Sequence, residues 1–309
     1  MMSKIIIGSR GSELALWQAK HIKKELKKIH KNLDVEIKII KTKGDKILNK
    51  ALSKIGDKSL FTKELEDALL KNKIDIAVHS LKDLETSLPK DLKLAVVTKR
   101  HPVEDVIIAK KKNTTISSLP YNAVIATGSL RRKSQLLHLR PDINVVDLRG
   151  NVPTRISKFL NSNWDAIILA RAGVERLNLK KYISSYIKTY EIVPAVGQGA
   201  LGIEINKYNK EAEALIKPLH NEKTFIEVSA EREFLKTIGG GCQVPVGALA
   251  EIKSNGLYLS GVISSLDGTV TYSKNIRGRK EDYLKLGKTL AQDLLKAGGK
   301  KILNEIYNK

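Results

Sequence analysis

Short apolar runs and amphipathic stretches alternate along the first two thirds of the chain. Lys4 to Gly8 is an apolar run and predicts a buried strand. Ser9-Arg10-Gly11-Ser12 turns it into a helix starting near Glu13. Ser12 is the expected N-cap, and Leu14, Trp17, Ile22 and Leu26 roughly follow one helical face. Val35 to Ile40 predicts a second strand, and Lys41 to Lys58, polar with Gly44 and Gly56, a loop. Phe61 to Leu70 predicts a helix. Asp75 to His79 predicts a third strand, running into Ser80-Leu81-Lys82-Asp83, and Leu92 to Thr98 a fourth.

Lys99-Arg100-His101-Pro102 breaks this pattern and predicts a crossing into a second domain. There the same pattern repeats. Ala123 to Thr127 predicts a strand that enters a helix through Gly128-Ser129-Leu130-Arg131-Arg132, an echo of Gly8 to Ser12. Ile143 to Leu148 predicts a strand ending at Arg149-Gly150-Asn151, with Pro153 suited to a first helical turn. Asp165 to Ala170 predicts a strand ending at Arg171-Ala172-Gly173, with Arg176 about a turn further on. Pro194 to Ala200 holds Gly197-Gln198-Gly199 and predicts the return crossing, followed by a strand at Leu201 to Ile205. Two crossings between two α/β halves predict a cleft with hinges.

The last third changes period. Ala248 to Lys253, Leu257 to Ser264 and Thr269 to Ile276 alternate as strands, with Asn255-Gly256 and Asp267-Gly268 as hairpin turns. A helix is predicted before them, from about Glu231 to Ile238, and one after them, from about Glu281 to Leu295. The expected organisation is residues 1–99 with 200–217, residues 105–193, and residues 222–309 as a small antiparallel sheet with helices.

Composition narrows the classes. The chain has 309 residues, a formal net charge of +22, one cysteine and 5% aromatic residues. One cysteine excludes an internal disulfide and points to a reducing cytosol. No apolar run reaches the length of a membrane span, and the run near Met1 is too short for a signal peptide. The lysine excess is scattered over helix faces and reads as a solvated surface. A basic chain could bind nucleic acid, but few aromatics are present to stack bases.

Arginine is distributed differently. Arg131, Arg132, Arg149, Arg155, Arg171 and Arg176 are half of the 12 arginines and fall at three successive predicted strand ends. Guanidinium pairs bidentately with carboxylate or phosphate, so this rim is expected to hold an anionic small ligand. Arg10, at the earlier strand-to-helix turn, adds a charged fork to an N-terminal anion site. Lys82 and Asp83 lie at another strand's carboxyl end, where α/β sheets gather ligand chemistry. Asp83 reads equally as a helix cap. His79, Ser80 and Asp83 are too close in sequence for a hydrolase triad.

The lone thiol, Cys242, follows Gly239-Gly240-Gly241 and precedes Pro245. A glycine run offers little packing, so an accessible thiol is a candidate nucleophile or attachment point. The plainer reading is a buried inert cysteine. A cysteine hydrolase would need a histidine partner, and none of the six histidines stands in a recognisable motif.

In order, Gly8 to Ala15, His79 to Asp83, Gly128 to Arg132, Arg149 to Val152, Gly197 to Ala200 and Glu231 to Gly247 resemble the hydroxymethylbilane synthase (porphobilinogen deaminase) family over essentially the whole chain. The resemblance implies two doubly wound α/β lobes of periplasmic-binding-protein type plus a small α+β domain with a three-stranded antiparallel sheet. It implies a dipyrromethane cofactor in thioether linkage to Cys242, on which four porphobilinogens are deaminated and condensed through azafulvene intermediates. Water then releases linear hydroxymethylbilane for tetrapyrrole synthesis. Asp83 matches the catalytic carboxylate. Cofactor contacts are implied for Ser80, Lys82, Asp83, Thr127, Ser129, Arg131, Arg132, Arg149, Gly150, Arg155, Ala170, Gly173, Gln198 and Gly241. Substrate contacts are implied for Arg10, Ser12, Lys58, Phe61, Arg149, Arg155 and Arg176. No metal, nucleic-acid or membrane partner is implied, and a cytoplasmic monomer is expected. The chain departs from the family at Gly56-Asp57-Lys58-Ser59-Leu60-Phe61, where two lid glycines are replaced by Asp57 and Ser59. The rival reading is a two-lobed anion-binding protein without catalysis.

Overall fold

The computed structural model describes residues 3–46, 62–240 and 244–307. Along the chain it forms β1 (Lys4–Ser9), α1 (Glu13–Ile29), β2 (Asp34–Ile39), α2 (Lys43–Lys46), α3 (Lys63–Leu70), β3 (Ile76–Ser80) and β4 (Leu92–Val97). Then come β5 (Asp105–Ala109), β6 (Val124–Ala126), α4 (Leu130–Leu139), β7 (Asn144–Val146), α5 (Val152–Leu160), β8 (Ala166–Ala170), α6 (Arg171–Arg176) and β9 (Ser185–Tyr186). The chain continues through β10 (Leu201–Asn206), α7 (Lys210–Ile216), α8 (Glu222–Ile238), β11 (Val246–Lys253), β12 (Gly256–Ser264), β13 (Thr271–Gly278), α9 (Tyr283–Leu294) and α10 (Lys300–Tyr307). Residues 1–101 with 199–225 form one compact unit, and residues 102–198 with 226–309 a second.

The first unit is built on the sheet β2-β1-β3-β10-β4. β1 is parallel to β2 and β3, whereas β10 runs antiparallel to β3 and β4. The second unit carries β7-β6-β8-β5-β9, with β6 parallel to β7 and β8, and β5 antiparallel to its neighbours. The two sheets thus share one plan. They also share a local device. Asp75 Oδ2 accepts the N–H of Ile6 at 2.7 Å, and Asp165 Oδ2 accepts that of Val124 at 2.7 Å. In each sheet a carboxylate just before the third of the parallel strands fastens the first of them. The glycine-serine echo in the sequence is the local part of this repetition. β5 has no counterpart in the sequence reading. Its run Val106-Ile107-Ile108-Ala109 is buried on both faces and therefore lacks the alternation that marks a half-buried strand.

The second unit also holds the antiparallel sheet β11-β12-β13, in a core with Phe234 of α8 and Leu290, Ala291 and Leu294 of α9. The hairpin glycines Gly256 and Gly268 have φ of +136° and +74°, conformations that side chains resist. The predicted final helix is α9, and α10 is a further helix beyond its predicted end. Gly298, at φ +131°, separates α9 from α10. The described part therefore has the class that the resemblance implies: two doubly wound α/β lobes and a three-stranded α+β portion. No helix among the described residues is long and apolar enough to cross a membrane.

Candidate active site

In the second unit three parallel strands deliver their carboxyl ends to one sheet edge. After β6, Ser129 caps α4, its Oγ accepting the N–H of Arg132 at 3.4 Å. Thr127 Oγ1 in turn accepts the N–H of Ser129 at 3.3 Å. Gly128 is required here, because a Cβ would stand 2.6 Å from the carbonyl oxygen of Leu148. After β7, Asn151 caps α5 and accepts the N–H of Thr154 at 2.9 Å. Gly150 precedes it at φ +118°, and its carbonyl accepts Arg155 Nε at 2.7 Å. β8 passes directly into α6, with Ala170 as the cap residue and Gly173 buried inside the helix. The six predicted arginines therefore do reach one edge.

They do not play one part there. Arg131 and Arg132 are buried, 4% and 5% exposed, and each donates an Nη2 N–H to Asp105 at 2.8 Å. Arg131 Nη1 also donates to Val193 O at 2.8 Å, and Arg132 Nη1 to Ile168 O at 3.1 Å. Gln198 Nε2 donates to Asp105 Oδ1 at 2.9 Å and to Val103 O at 2.7 Å. Burial alone would push the Asp105 carboxyl up, but the two guanidiniums outweigh it and hold it well below the usual carboxylate range. Arg171 is tied to protein acids, with Nε on Glu175 at 2.9 Å, Nη1 on Glu104 at 3.3 Å and its guanidinium 4.5 Å from the Tyr186 ring centroid. The expectation that Arg171 serves the ligand rim gives way to this framework role. Burial lowers Arg149 against the raising effect of Asp147, and pulls Arg176 down to about 10. Partly desolvated guanidiniums of this kind suit carboxylates.

Asp105 is not among the sequence-predicted site residues, because it stands at the predicted domain boundary just past the crossing Lys99 to Pro102. Its signal was an acid directly before an unassigned apolar run.

The first unit makes a second edge. Ser12 caps α1, accepting the N–H of Ala15 at 3.4 Å, and Arg10 lies between β1 and this cap. β3 is parallel to β1, and ends at Ser80 before a single 3-10 turn, Leu81–Asp83. The parallel pairing brings Arg10, Ser12, Ser80, Lys82 and Asp83 to one side of the sheet. Asp83 is exposed, and Lys82 is half-buried. Buried Gln18 donates from Nε2 to Ser80 Oγ at 2.7 Å. Gln18 also escaped the sequence reading, although it interrupts the helical stripe Leu14-Gln18-Ile22-Leu26 with a polar residue. His79 Nε2 lies 3.1 Å from Glu204 Oε2 in the interior, which gives the histidine a structural partner.

α8 ends where the glycine run begins. Gly239, at φ +74°, reverses the chain, and the N–H of Gly240 reaches back to Leu235 O at 3.1 Å. Tyr307 Oη donates to Gly239 O at 3.0 Å. Gly241, Cys242, Lys58 and Phe61 lie outside the described residues.

Residues 5–214 match the family described as porphobilinogen deaminase, dipyromethane cofactor binding domain. Residues 225–296 match porphobilinogen deaminase, C-terminal domain. The porphobilinogen deaminase of Syntrophomonas wolfei subsp. wolfei is 47% identical over 304 residues, covering 98% of this chain and 99% of that protein. That of Carboxydothermus hydrogenoformans is 47% identical over 306 residues, covering 99% and 98%. Among solved structures, the alkanesulfonate-binding protein SsuA from Xanthomonas axonopodis pv. citri is similar with a TM-score of 0.38 and 15% identity, covering 75% of this chain and 74% of that one. On the matched families and the full-length relatives, this chain belongs to the porphobilinogen deaminase family.

Proposed function

We infer that this chain is a hydroxymethylbilane synthase. It removes ammonia from each of four porphobilinogens, joins them head to tail on a covalently held dipyrromethane primer, and releases linear hydroxymethylbilane with one water. Family membership sets aside the rival reading of a non-catalytic anion binder. The observation that carries the inference is the arginine-bearing edge at the ends of β6, β7 and β8.

The residues present suit an acid-decorated primer. Arg132 Nε is buried and has no hydrogen-bond partner among the described residues, so a donor is left over for a ligand oxygen. Arg149 and Arg176 are cations whose charge burial makes costlier, and a carboxylate beside them would offset that cost. Arg131, Arg132, Ser129, Arg149, Arg155 and Lys82 would hold the primer's acetate and propionate groups, with Cys242 as the attachment point. When bound, the primer supplies the nucleophilic α-carbon of its terminal pyrrole.

The chain's own groups then bind and move protons. Arg10, Ser12, Arg149, Arg155 and Arg176 bind the carboxylates of incoming porphobilinogen and of the growing product. The Asp83 carboxylate stabilises positive charge that develops on the substrate pyrrole as ammonia leaves. One of its oxygens accepts and returns the proton exchanged in condensation. Gln18 orients Ser80 beside this acid through the 2.7 Å bond. The three-part division of the chain, a cytoplasmic monomeric state and a preference for pyrrole acids over nucleic acid or membrane belong to the same reading.

Intact-mass measurement of the active protein tests it. A covalent adduct of two linked pyrroles is expected, and it is absent from the Cys242→Ser variant. An unmodified mass in protein that turns over porphobilinogen overturns the reading.

A further inference from the structure

Among the charged groups at the arginine edge, Asp105 is the acid that contacts two of the predicted ligand-binding arginines at once. Its side chain is fully buried, with Oδ2 on Arg131 Nη2 and Oδ1 on Arg132 Nη2, both at 2.8 Å, and Oδ1 also takes Gln198 Nε2 at 2.9 Å. The three donors come from two places: the first turn of α4 supplies both arginines, and the return crossing supplies the glutamine. Each guanidinium is held at a second point by a backbone carbonyl, Val193 O for Arg131 and Ile168 O for Arg132. A planar guanidinium fixed at two nitrogens cannot turn about its long axis. The donors it keeps for a ligand, such as buried Arg132 Nε, are therefore aimed before the ligand arrives. Prior ordering removes the rotamer cost that binding would otherwise carry. The carboxylate also leaves two cations and one anion in the cluster, for a net charge of +1.

We propose that Asp105 is a positioning residue, which fixes Arg131, Arg132 and Gln198 in the orientation that meets the carboxylates of the pyrrole primer. This rests on the reading given under Proposed function. Asp105 touches neither primer nor substrate in this scheme and acts through the groups it holds. Charge balance alone would be satisfied by any buried carboxylate, whereas positioning demands the side-chain length of aspartate.

The test uses full-length apoprotein as wild type, Asp105→Glu and Asp105→Asn, with two readouts. The first is the nitrogen-15 spectrum of the arginine side chains, which does not depend on activity. In the wild type, Arg131 and Arg132 are expected to show separate, slowly exchanging Nη protons. Rotationally averaged Nη signals for both would overturn the proposal without any variant. Asp105→Glu keeps the charge and is expected to fold, with the Arg131 and Arg132 signals displaced. The second readout is the rate at which incubation with porphobilinogen adds the primer mass. That rate is expected to fall by on the order of tenfold or more in Asp105→Glu, the scale seen when a group supporting a ligand-binding residue is displaced. Loading at the wild-type rate in Asp105→Glu, with the arginine signals displaced, overturns the proposal. Unchanged arginine signals in a folded Asp105→Asn also overturn it. A wild type that gains no primer mass refutes the proposed function instead, and the arginine spectra still decide whether Asp105 holds its partners.

Discussion

Glu231 Oε2 accepts the backbone N–H of Gly197 at 2.7 Å. Its other oxygen accepts the N–H of Ala250 at 2.8 Å. One buried carboxylate on α8 thus ties the left-handed turn of the return crossing to β11. Apolar packing reinforces the link, because Val196 lies in the core of the three-stranded sheet, and Ala248 donates to Pro194 O at 3.1 Å. Glu231→Ala would strand two buried N–H groups. A loss of about 2–6 kcal/mol is expected in denaturant unfolding, from about 1–3 kcal/mol for each unsatisfied group. Glu231→Gln keeps one good acceptor and should fall between this variant and the wild type.

Asp105 should give the protein a recognisable acid sensitivity. Its carboxyl lies below its unfolded value, because Arg131 and Arg132 outweigh the effect of burial. Its contribution is therefore fully present above the ordinary carboxylate pKa of about 4 and is lost as pH falls through the folded value. Asp105→Asn lacks that contribution and leaves two buried cations uncompensated, at a cost of roughly 3–5 kcal/mol near neutral pH. Unfolding measured from pH 7 down to pH 3 should show the gap between wild type and variant beginning to close at the acid end.

Glu66 should behave in the opposite way. Burial raises its carboxyl above the ordinary range, with Glu204 adding to the effect and Thr62 opposing it. The folded state then favours the protonated acid. The associated stability is present below the unfolded pKa and lost as pH rises through the folded one. Glu66→Gln should therefore gain melting temperature relative to wild type as pH is raised from 5 to 8. A constant difference across that range would contradict the assignment.

Asp83 is exposed at the end of the turn after β3. Asp83→Ala should change stability by no more than about 0.5 kcal/mol, as for most exposed positions. Its turnover of porphobilinogen should drop by about 10²-fold or more, the scale of a lost general acid–base group. Near-normal turnover would remove Asp83 from the mechanism.

The β12–β13 hairpin turn presses on α4. Gly268 has φ +74°, and a Cβ there would stand 2.5 Å from Ser134 O and 2.6 Å from His138 N. His138 Nδ1 lies 3.0 Å from Gly268 O. Gly268→Ala should cost about 1–3 kcal/mol, from backbone strain together with the clash. The variant should also disturb the side-chain signals of Arg131 and Arg132, which α4 carries.

The strand ends, the cap Ser12, the helix entry at Gly128 to Arg132, the proline-started helix after Arg149 and the glycine stop of α8 were all legible in order along the chain. Each depends on residues a few positions apart, where apolar spacing and orphan N–H groups act locally. The convergence of arginines on one edge was legible as well, because parallel strands turn spacing in sequence into adjacency in space. The fate of each arginine was not legible. Arg131 and Arg132 found Asp105, 26 and 27 residues away, Arg171 found Glu104, and Gln18 found Ser80 across 62 residues. β5 entered its sheet antiparallel, between β8 and β9, through pairings that no local pattern encodes. Desolvated polar groups take whatever partner distant segments bring within reach, so packing divides the arginines between framework and ligand edge.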